Sequence, residues 1–202
     1  MSFLRRILPI LTLAIAATAL AADPKPPTTA PAAPAAPAAP PAPADQEAVV
    51  SKTRLQEIKG CTYLYSSGEA TLNGVGQTIH TLIEPMTAAI EEGKIHPVGP
   101  PVFVYHGVTG ERDKPFTLEV GFPIREEAKP PADFKVRKLD DLRCCGALFS
   151  GPMQQMAQAY QQIMGDVFTL GVEPSDEIRE MILYWDNEQS PNNVVMVMVG
   201  IK

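Results

Sequence analysis

The sequence has little of what metal-dependent, nucleotide-dependent and thiol-dependent enzymes need. Its 202 residues include three histidines, three cysteines and one tryptophan, and only 6% of the residues are aromatic. The histidine spacing fits no metal signature, and the chain contains no CxxC pair, nucleophile elbow, Walker loop or dinucleotide-binding glycine pattern. We therefore expect neither a metal nor a cofactor, and we do not expect an enzyme as the first interpretation.

Basic residues are also scarce. After residue 45 the chain carries 21 acidic and 14 basic side chains, a net charge of −7, and it has no basic run. Such a surface repels both the phosphate backbone of nucleic acids and anionic lipid headgroups. Nucleic acid is therefore excluded as an expected partner. Membrane association is expected only if the N-terminal segment remains attached as an anchor.

The chain has one long apolar run, residues 7–20, which is too short for a membrane-spanning helix of roughly 20 residues. Arg5 and Arg6 precede the run, and Ala19-Leu20-Ala21 ends it with small residues at the two positions that a signal peptidase reads. This order predicts a secretory signal peptide over residues 1–21. The protein is then exported to the periplasm or cell envelope, with an uncleaved anchor as the alternative.

A spacer rich in proline and alanine follows over residues 22–45. Nine of the 21 prolines lie between residues 24 and 43. Proline removes backbone donors and fixes φ, so this stretch favours a disordered, extended spacer of polyproline type. The remaining part, residues 46–202, has an ordinary composition and is long enough for one domain with a real core.

The folded part contains an internal repeat, with one copy over about residues 61–124 and the other over about residues 134–202. The same offset along the chain separates Tyr105 from Tyr184 and Gly121 from Gly200. Each copy has the order strand, helix, strand, strand. Two such units would cover each other about a pseudo-twofold axis, which leaves a groove between the halves as the place for a small molecule.

Local patterns support these elements. Residues 116–122 alternate between apolar and polar in the period of a half-buried strand, and residues 102–105 are β-branched and aromatic. The other predicted strands cover residues 64–66, 148–150, 181–184 and 195–201. Helices are predicted over residues 153–168, after Gly151-Pro152, and over residues 79–90, where Pro85 interrupts the pattern. The expected class is an α+β domain with an antiparallel sheet.

The order and spacing of these segments resemble the GyrI-like, AraC-type bacterial effector-binding domain. The residues that carry the resemblance are LFSGP at 148–152, Tyr160, Gly171, Arg179-Glu180 and LEVGFPI at 118–124. The similarity covers about residues 50–202. It implies a duplicated strand-helix-strand-strand fold with a ligand groove between the halves; the heme-binding SOUL proteins are similar in fold and are the nearest alternative.

The chain departs from that family in two ways. A signal and a spacer stand where regulators of the family carry a DNA-binding domain, so we do not expect a direct role in transcription. The family has a buried, cation-attracting glutamate in its last strand, and Met198 occupies that position here, at the repeat offset after Glu119. A methionine cannot neutralise a cation, so the expected ligand is neutral, apolar or aromatic.

The candidate ligand-binding residues lie on the predicted strands. Aromatic side chains suit the walls of a groove for a flat ligand, although each one could equally be core. Methionines could line the same groove, with core filling as the alternative. The carboxylates are set in apolar strand sequence, and the one at position 119 is either solvated or directed into the groove. The complete set is Tyr65, Tyr105, Glu119, Phe149, Glu180, Tyr184, Trp185, Met196 and Met198.

The cysteines are Cys61, Cys144 and Cys145, and an exported chain lives where disulfides persist. Cys61 and Cys145 each precede the first predicted strand of their copy, so a disulfide between them is the expected cross-link of the halves. Three buried thiols are the alternative.

The sequence therefore predicts an exported, monomeric domain that binds a small organic molecule as a sensor, carrier or sequestering module. Two alternatives stay open. One is a hydrolase that uses Glu119 in the same groove as a general acid or base. The other is a structural or protein-interaction module of the cell envelope, with a partner protein there.

Overall fold

The computed structural model describes residues 47–202. The predicted signal peptide and spacer lie outside the described residues. Nine strands, two helices and one short 3-10 helix at Met153–Gln155 follow one another along the described chain. Their bounds are β1 (Val49–Val50), β2 (Arg54–Ile58), β3 (Cys61–Ala70), α1 (Val75–Glu91), β4 (Val102–His106), β5 (Phe116–Ile124), β6 (Lys135–Leu139), β7 (Leu142–Ser150), α2 (Ala157–Leu170), β8 (Pro174–Tyr184) and β9 (Val194–Ile201).

All nine strands form one antiparallel sheet in the order β1-β7-β9-β8-β4-β5-β3-β6, and β2 also pairs with β7. The two copies of the repeat are β3-α1-β4-β5 and β7-α2-β8-β9. The predicted α+β class, antiparallel sheet and duplication are confirmed.

The two halves meet where β4 pairs with β8 in the middle of the sheet. Val102 of β4 lies directly opposite Met181 of β8. The repeat offset also separates these two residues in the sequence, so equivalent positions of the two copies pair with each other at the pseudo-twofold axis. The halves are thus joined strand to strand, and a groove between them can only lie above or below this pair.

We call the side of the sheet that carries both helices the helix face. α1 packs on β3 and β5, and α2 packs on β7 and β9. Their apolar side chains join one cluster with Phe103, Leu118, Val120 and Val197 of the strands. Because neighbouring residues of a strand point to opposite sides, the intervening residues form the other surface, which we call the back face.

The back face is also buried. Tyr63, Val104, Cys144 and Met198 are each 0% exposed there, in two clusters that include no helix residue among the described residues. Met181 packs against both clusters, although they come from different halves of the sheet. The sheet must therefore curl around its back face, as a partly closed barrel does.

Several boundaries differ from the predictions. α1 begins at Val75 and runs through Pro85 without a break, because Pro85 is exposed and costs the helix only one backbone hydrogen bond. β8 begins at Pro174, so its charged residues belong to the strand and not to a preceding loop. β1, β2 and β6 were not predicted, since β1 has only two residues and the other two strands contain few apolar residues.

Candidate functional site

A buried carboxylate lies on the helix face of the central strand pair. Glu180 of β8 is 6% exposed and has a hydroxyl donor at each oxygen. Tyr105 of β4 donates its hydroxyl hydrogen to Oε2 at 2.7 Å, and Tyr160 of α2 donates to Oε1. The site therefore joins both halves of the repeat, with one tyrosine from each half.

The strand register explains this arrangement. Glu180 lies directly opposite Phe103, and Tyr105 lies two residues further along β4 on the same face. A diagonal neighbour in a sheet is about 7 Å away, which a tyrosine side chain can span. Tyr160 follows the buried Ala159 and precedes the buried Ile163 on α2, so its ring leaves the flank of the helix toward β8.

The electrostatics of the site follow from its burial. Burial raises the pKa of Glu180, and the hydrogen bonds from Tyr160 and Tyr105 oppose this rise without cancelling it. Burial also raises the pKa of both tyrosines, and the adjacent carboxylate adds to that effect. Both hydroxyls thus remain protonated donors, and Glu180 is a carboxyl that a cationic or hydrogen-donating group could stabilise in place of a tyrosine.

Apolar side chains surround this carboxyl on the helix face. Phe103 and Ile182 flank it on β4 and β8, and both are nearly fully buried. Trp185, which follows β8, and Met164 of α2 pack against the same cluster. The Tyr105 ring also meets Phe116 at a centroid distance of 6.0 Å and a tilt of 44°. A ligand at Glu180 would therefore lie among aromatic and aliphatic groups.

The predicted ligand-binding residues do not all meet in one groove. Tyr105, Phe149, Glu180 and Trp185 belong to the helix face. Tyr65, Glu119, Met196 and Met198 belong to the back face. Tyr184 pairs with Val194 beside a register shift of β8 and does not continue the row of Glu180. These residues lie on different faces because neighbouring residues of a strand point to opposite sides of the sheet. The sequence shows this alternation, but it does not show which face each residue occupies.

Glu119 belongs to an ionic cluster on the back face. Arg137 of β6 donates from Nε at 3.2 Å and from a terminal nitrogen at 2.7 Å to Oε2, and His106 Nε2 lies 3.8 Å from Oε1. Burial would raise the pKa of Glu119, but the neighbouring His106 and the hydrogen bonds from Arg137 outweigh it and bring this pKa below its ordinary value. Glu119 is therefore ion-paired with an arginine, whereas the partners of Glu180 are tyrosine hydroxyls.

Two tyrosines complete the cluster. The rings of Tyr63 and Tyr65 are parallel, with an interplanar angle of 5° and centroids 5.4 Å apart. The Arg137 guanidinium carbon lies 5.8 Å and 5.6 Å from their centroids. These contacts hold β3, β5 and β6 together.

Met198 is not the counterpart of Glu119 in the strand register. Glu119 pairs with Val104, whose counterpart by the repeat offset is Leu183. Met198 instead pairs with Arg179, which precedes Leu183 by four residues in β8. The offset of the repeat therefore holds for the central pair of strands but not for β5 and β9.

The predicted disulfide between Cys61 and Cys145 is wrong, because all three cysteines are free thiols. Cys61 lies on the back face of β3, whereas Cys145 lies on the helix face of β7. Four strands separate β3 from β7 in the sheet. A disulfide requires the two Cα atoms to be within about 7 Å, with the side chains directed at each other.

Sequence reasoning missed Tyr160, Arg137 and His106 as partners of the two glutamates. Tyr160 gave a usable signal, because it stands at a helical spacing of three from Ile163 on the apolar face. No sequence pattern indicated Arg137 as a partner, because β6 was not predicted.

Other features of the described residues add no second candidate of this kind. A surface depression of about 240 Å3 lies near the end of α1 and contains none of the predicted site residues; its lining is Lys94, Ile95, His96, Ile124, Ala128, Lys129 and Pro130. Between residues 47 and 202, no three His, Cys, Asp or Glu side chains are grouped as metal ligands would be. Over the same range no helix has the length and apolarity to span a bilayer.

Comparison with known proteins identifies the architecture. The chain matches no protein-family model and no curated protein. Among solved structures it is similar to the EcmrR C-terminal domain, with 13% identity and a TM-score of 0.60 over 75% of this chain and 97% of that one. It matches EcmrR in the cryo-EM structure of an EcmrR-DNA complex with 15% identity and a TM-score of 0.62, over 75% of this chain and 57% of the EcmrR chain.

Two further structures share the fold. SAV2435 bound to tetraphenylphosphonium gives 9% identity and a TM-score of 0.57 over 75% of this chain and 94% of that one. A hydrolase encoded by lin2189 from Listeria innocua gives 10% identity and a TM-score of 0.50, over 75% and 92% respectively. At these identities the comparisons establish the fold, and the fold of residues 47–202 is the GyrI-like one that the sequence resemblance implies.

Proposed function

We propose that this domain binds a small organic molecule on the helix face, above the β4–β8 pair and between α1 and α2, with Glu180 as its polar anchor. The observation that carries the proposal is the buried carboxyl of Glu180, which bridges Tyr105 and Tyr160 at the centre of an apolar cluster. A core that only needed packing would not keep a carboxyl there, because an aliphatic side chain avoids its desolvation.

We also propose that the preferred ligand is an aromatic cation. The expectation of a neutral ligand depended on Met198 standing in for a carboxylate, but Met198 lies on the back face and Glu180 supplies a carboxyl on the helix face. A bound cation would give this carboxyl a counter-charge in place of a tyrosine hydroxyl. The structural neighbour SAV2435, which was solved with the lipophilic cation tetraphenylphosphonium, supports this choice.

Binding requires some rearrangement, because Glu180 is only 6% exposed. Tyr160 is the group that can move, since it is partly exposed and belongs to a helix that packs on β7 and β9. We therefore infer that a ligand replaces the Tyr160 hydroxyl at Oε1 and leaves the Tyr105 bond in place.

The biological setting belongs to the same proposal. The N-terminal features favour an exported domain on a spacer, which acts as a sensor, carrier or sequestering module in the periplasm or cell envelope. Export is tested separately from ligand binding, by locating the processed chain after cell fractionation.

The experiment is a titration of the full chain with tetraphenylphosphonium and with neutral triphenylphosphine oxide, followed by Trp185 fluorescence and calorimetry. We expect the cation to bind at least about tenfold more tightly, a difference of about 1.4 kcal/mol. Glu180→Gln should remove this preference. Glu119→Gln, a matched change on the back face, should keep it. Flat titrations with both compounds, or an unchanged preference in Glu180→Gln, would contradict the proposal.

A hydrolase remains the second candidate, but through Glu180 and not Glu119. Glu119 is held by Arg137 and His106 and its pKa is lowered, whereas the pKa of Glu180 is raised, as a general acid requires. The neighbour described as a hydrolase shares only the fold. Turnover of an activated ester that is lost in Glu180→Gln and kept in Glu119→Gln would favour this candidate; no turnover above the buffer rate rejects it.

A further inference from the structure

The segment ahead of β2 lies against the 3-10 helix and α2, and we call its residues 47–53 the strap. The amide nitrogen of Ala48 donates a hydrogen bond to Oε1 of Gln155 at 2.7 Å. Further along the helix, Nε2 of Gln162 donates to the carbonyl oxygen of Ser51 at 2.7 Å. Two glutamine side chains therefore hold the strap along the helix.

The helix that carries the strap also carries a partner of the buried carboxyl. Tyr160 lies between the two glutamines in α2 and donates to Glu180. Ala48 and Val50 of the strap pack against the same helix-face cluster as Tyr160. Because a packed helix moves as a unit, a shift of α2 that breaks the bond at Glu180 also disturbs the bonds to the strap.

The equivalent helix of the other copy has no such attachment. Within the described residues, the side-chain hydrogen bonds of α1 stay inside the helix and its cap, from Thr78 to Gly74, from Thr81 to Gln77 and from Thr87 to Ile83. α1 nevertheless packs on β3 and β5 as α2 packs on β7 and β9. One copy therefore folds without a strap, so the strap on α2 needs a reason other than the fold.

The strap is also weakly attached to the sheet. β1 consists of Val49 and Val50 only, and it pairs with the end of β7 at Phe149 and Ser150. Val49 is 66% exposed. Short, exposed elements of this kind open at a low free energy, so the strap can be released while the rest of the sheet stays folded.

We propose that the strap is a latch on the ligand site. It holds α2 where Tyr160 covers Glu180, and it is released when a ligand replaces Tyr160; this step rests on the proposed function. Gln155 and Gln162 are then positioning residues, which act on the site through α2. Because coupling is reciprocal, release of the strap favours ligand binding as much as the ligand favours release. Occupancy is thereby reported at the start of the domain, beside the predicted spacer, as a sensor requires and a carrier does not.

The first test needs no ligand. In the 15N-labelled full chain, NMR measures the solvent exchange of the Ala48 amide, whose acceptor is the Gln155 side chain. Tyr160→Phe should speed this exchange at least about fivefold, the lower end of typical coupling between sites. The Gly60 amide, which likewise donates to a side chain, that of Asp141, is the control and should keep its rate. An unchanged rate at Ala48, or an equal rise at Gly60, would overturn the proposal.

The second test uses tetraphenylphosphonium. The cation should speed the Ala48 exchange of the wild-type chain toward the rate in Gln155→Ala, and Gln155→Ala should bind the cation at least about fivefold more tightly. A merely structural role of Gln155 predicts lower stability without any gain in affinity. Gln161→Ala, at an exposed position of the same helix, is the matched control and should alter neither quantity.

The outcomes separate the latch from the ligand site. Binding of the cation that leaves the Ala48 exchange unchanged, or that is no tighter in Gln155→Ala, would refute the latch and leave the ligand site standing. No binding of the cation, together with faster Ala48 exchange in Tyr160→Phe, would refute the cation site and still support the link between Tyr160 and the strap.

Discussion

Glu119 and Glu180 lie on opposite faces of one antiparallel sheet, on strands that are both next to β4. Glu119 is paired with Arg137 and lies beside His106, and its pKa is lowered. Within the described part of the chain, Glu180 has tyrosine hydroxyls as its partners, and its pKa is raised. The two carboxylates therefore differ in their surroundings, with ion pairing on the back face and hydroxyl donors on the helix face.

The hydroxyl of Tyr160 should contribute measurably to stability. In Tyr160→Phe, one oxygen of the buried Glu180 loses its donor, so the free energy of unfolding should fall by about 1–2 kcal/mol. Urea unfolding at neutral pH measures the change. Tyr65→Phe is the matched control, because the change keeps the Tyr65 ring and its stacking on Tyr63. Equal effects of the two changes would contradict the role of Tyr160.

The raised pKa of Glu180 predicts a particular dependence of stability on pH. A carboxyl whose pKa is higher in the folded state binds its proton more tightly there, so its contribution is lost as pH rises from the ordinary value of 4.5 through the folded pKa. Glu180→Gln, which cannot titrate, should flatten this decline. Unfolding free energies of both proteins across that pH range measure it. A wild-type contribution that grows with pH would contradict the assignment.

His106 should titrate above its ordinary value. The adjacent Glu119 carboxylate is the largest cause of its raised pKa, and Glu177 adds to it against the opposing effects of burial and Arg137. The stability that this pair supplies is fully present below the ordinary histidine pKa of 6.5 and is lost as pH rises through the folded pKa of His106. Proton NMR can follow the three histidines, and Glu119→Gln should lower the pKa of His106 while the signals of His80 and His96 stay unchanged. A His106 signal that ignores Glu119→Gln would contradict the pairing.

Two glycines should respond to alanine in opposite directions. At Gly121 a Cβ would lie 2.1 Å from the backbone oxygen of Leu64, so Gly121→Ala should destabilise the domain by about 3 kcal/mol. At Gly165 in α2 nothing lies within 4 Å of a Cβ, so Gly165→Ala should stabilise it by up to about 1 kcal/mol. Thermal unfolding of both variants measures the pair. A tolerated Gly121→Ala would contradict the close packing of β3 on β5.

The cysteines should remain reduced even in air. Cys61 and Cys145 point to opposite faces, so the purified monomer should have the mass of three free thiols. Mass spectrometry after alkylation in denaturant checks this. A monomer that takes up fewer alkyl groups than its three cysteines would show an internal disulfide and contradict the register of β3 or β7.

The sequence was sufficient for the repeat, the central strands and both helices, because alternation along residues 116–122 and the apolar face of residues 153–168 are local signals. It was not sufficient for β2 and β6, whose charged residues look like loop, and it therefore missed Arg137 as the partner of Glu119.

The sequence could not predict which residues lie on which face of the sheet, for a different reason. Alternation along a strand shows that neighbouring side chains point to opposite faces. Only the pairing of β8 with β4 and β9 shows that Glu180 shares a face with Tyr105, and that Met198 lies on the other face. The repeat offset misled at Met198, because the register of β9 on β8 is shifted relative to that of β5 on β4.

Ligand binding on the helix face at Glu180 can be tested residue by residue. The most direct measurement is an NMR titration of the isotopically labelled full chain with tetraphenylphosphonium, with the backbone amides of the sheet assigned. We predict saturable shifts at Tyr105, Tyr160 and Glu180, with Tyr65 and Glu119 unaffected. Shifts confined to Tyr65 and Glu119, or no saturable shift at Glu180, would contradict it.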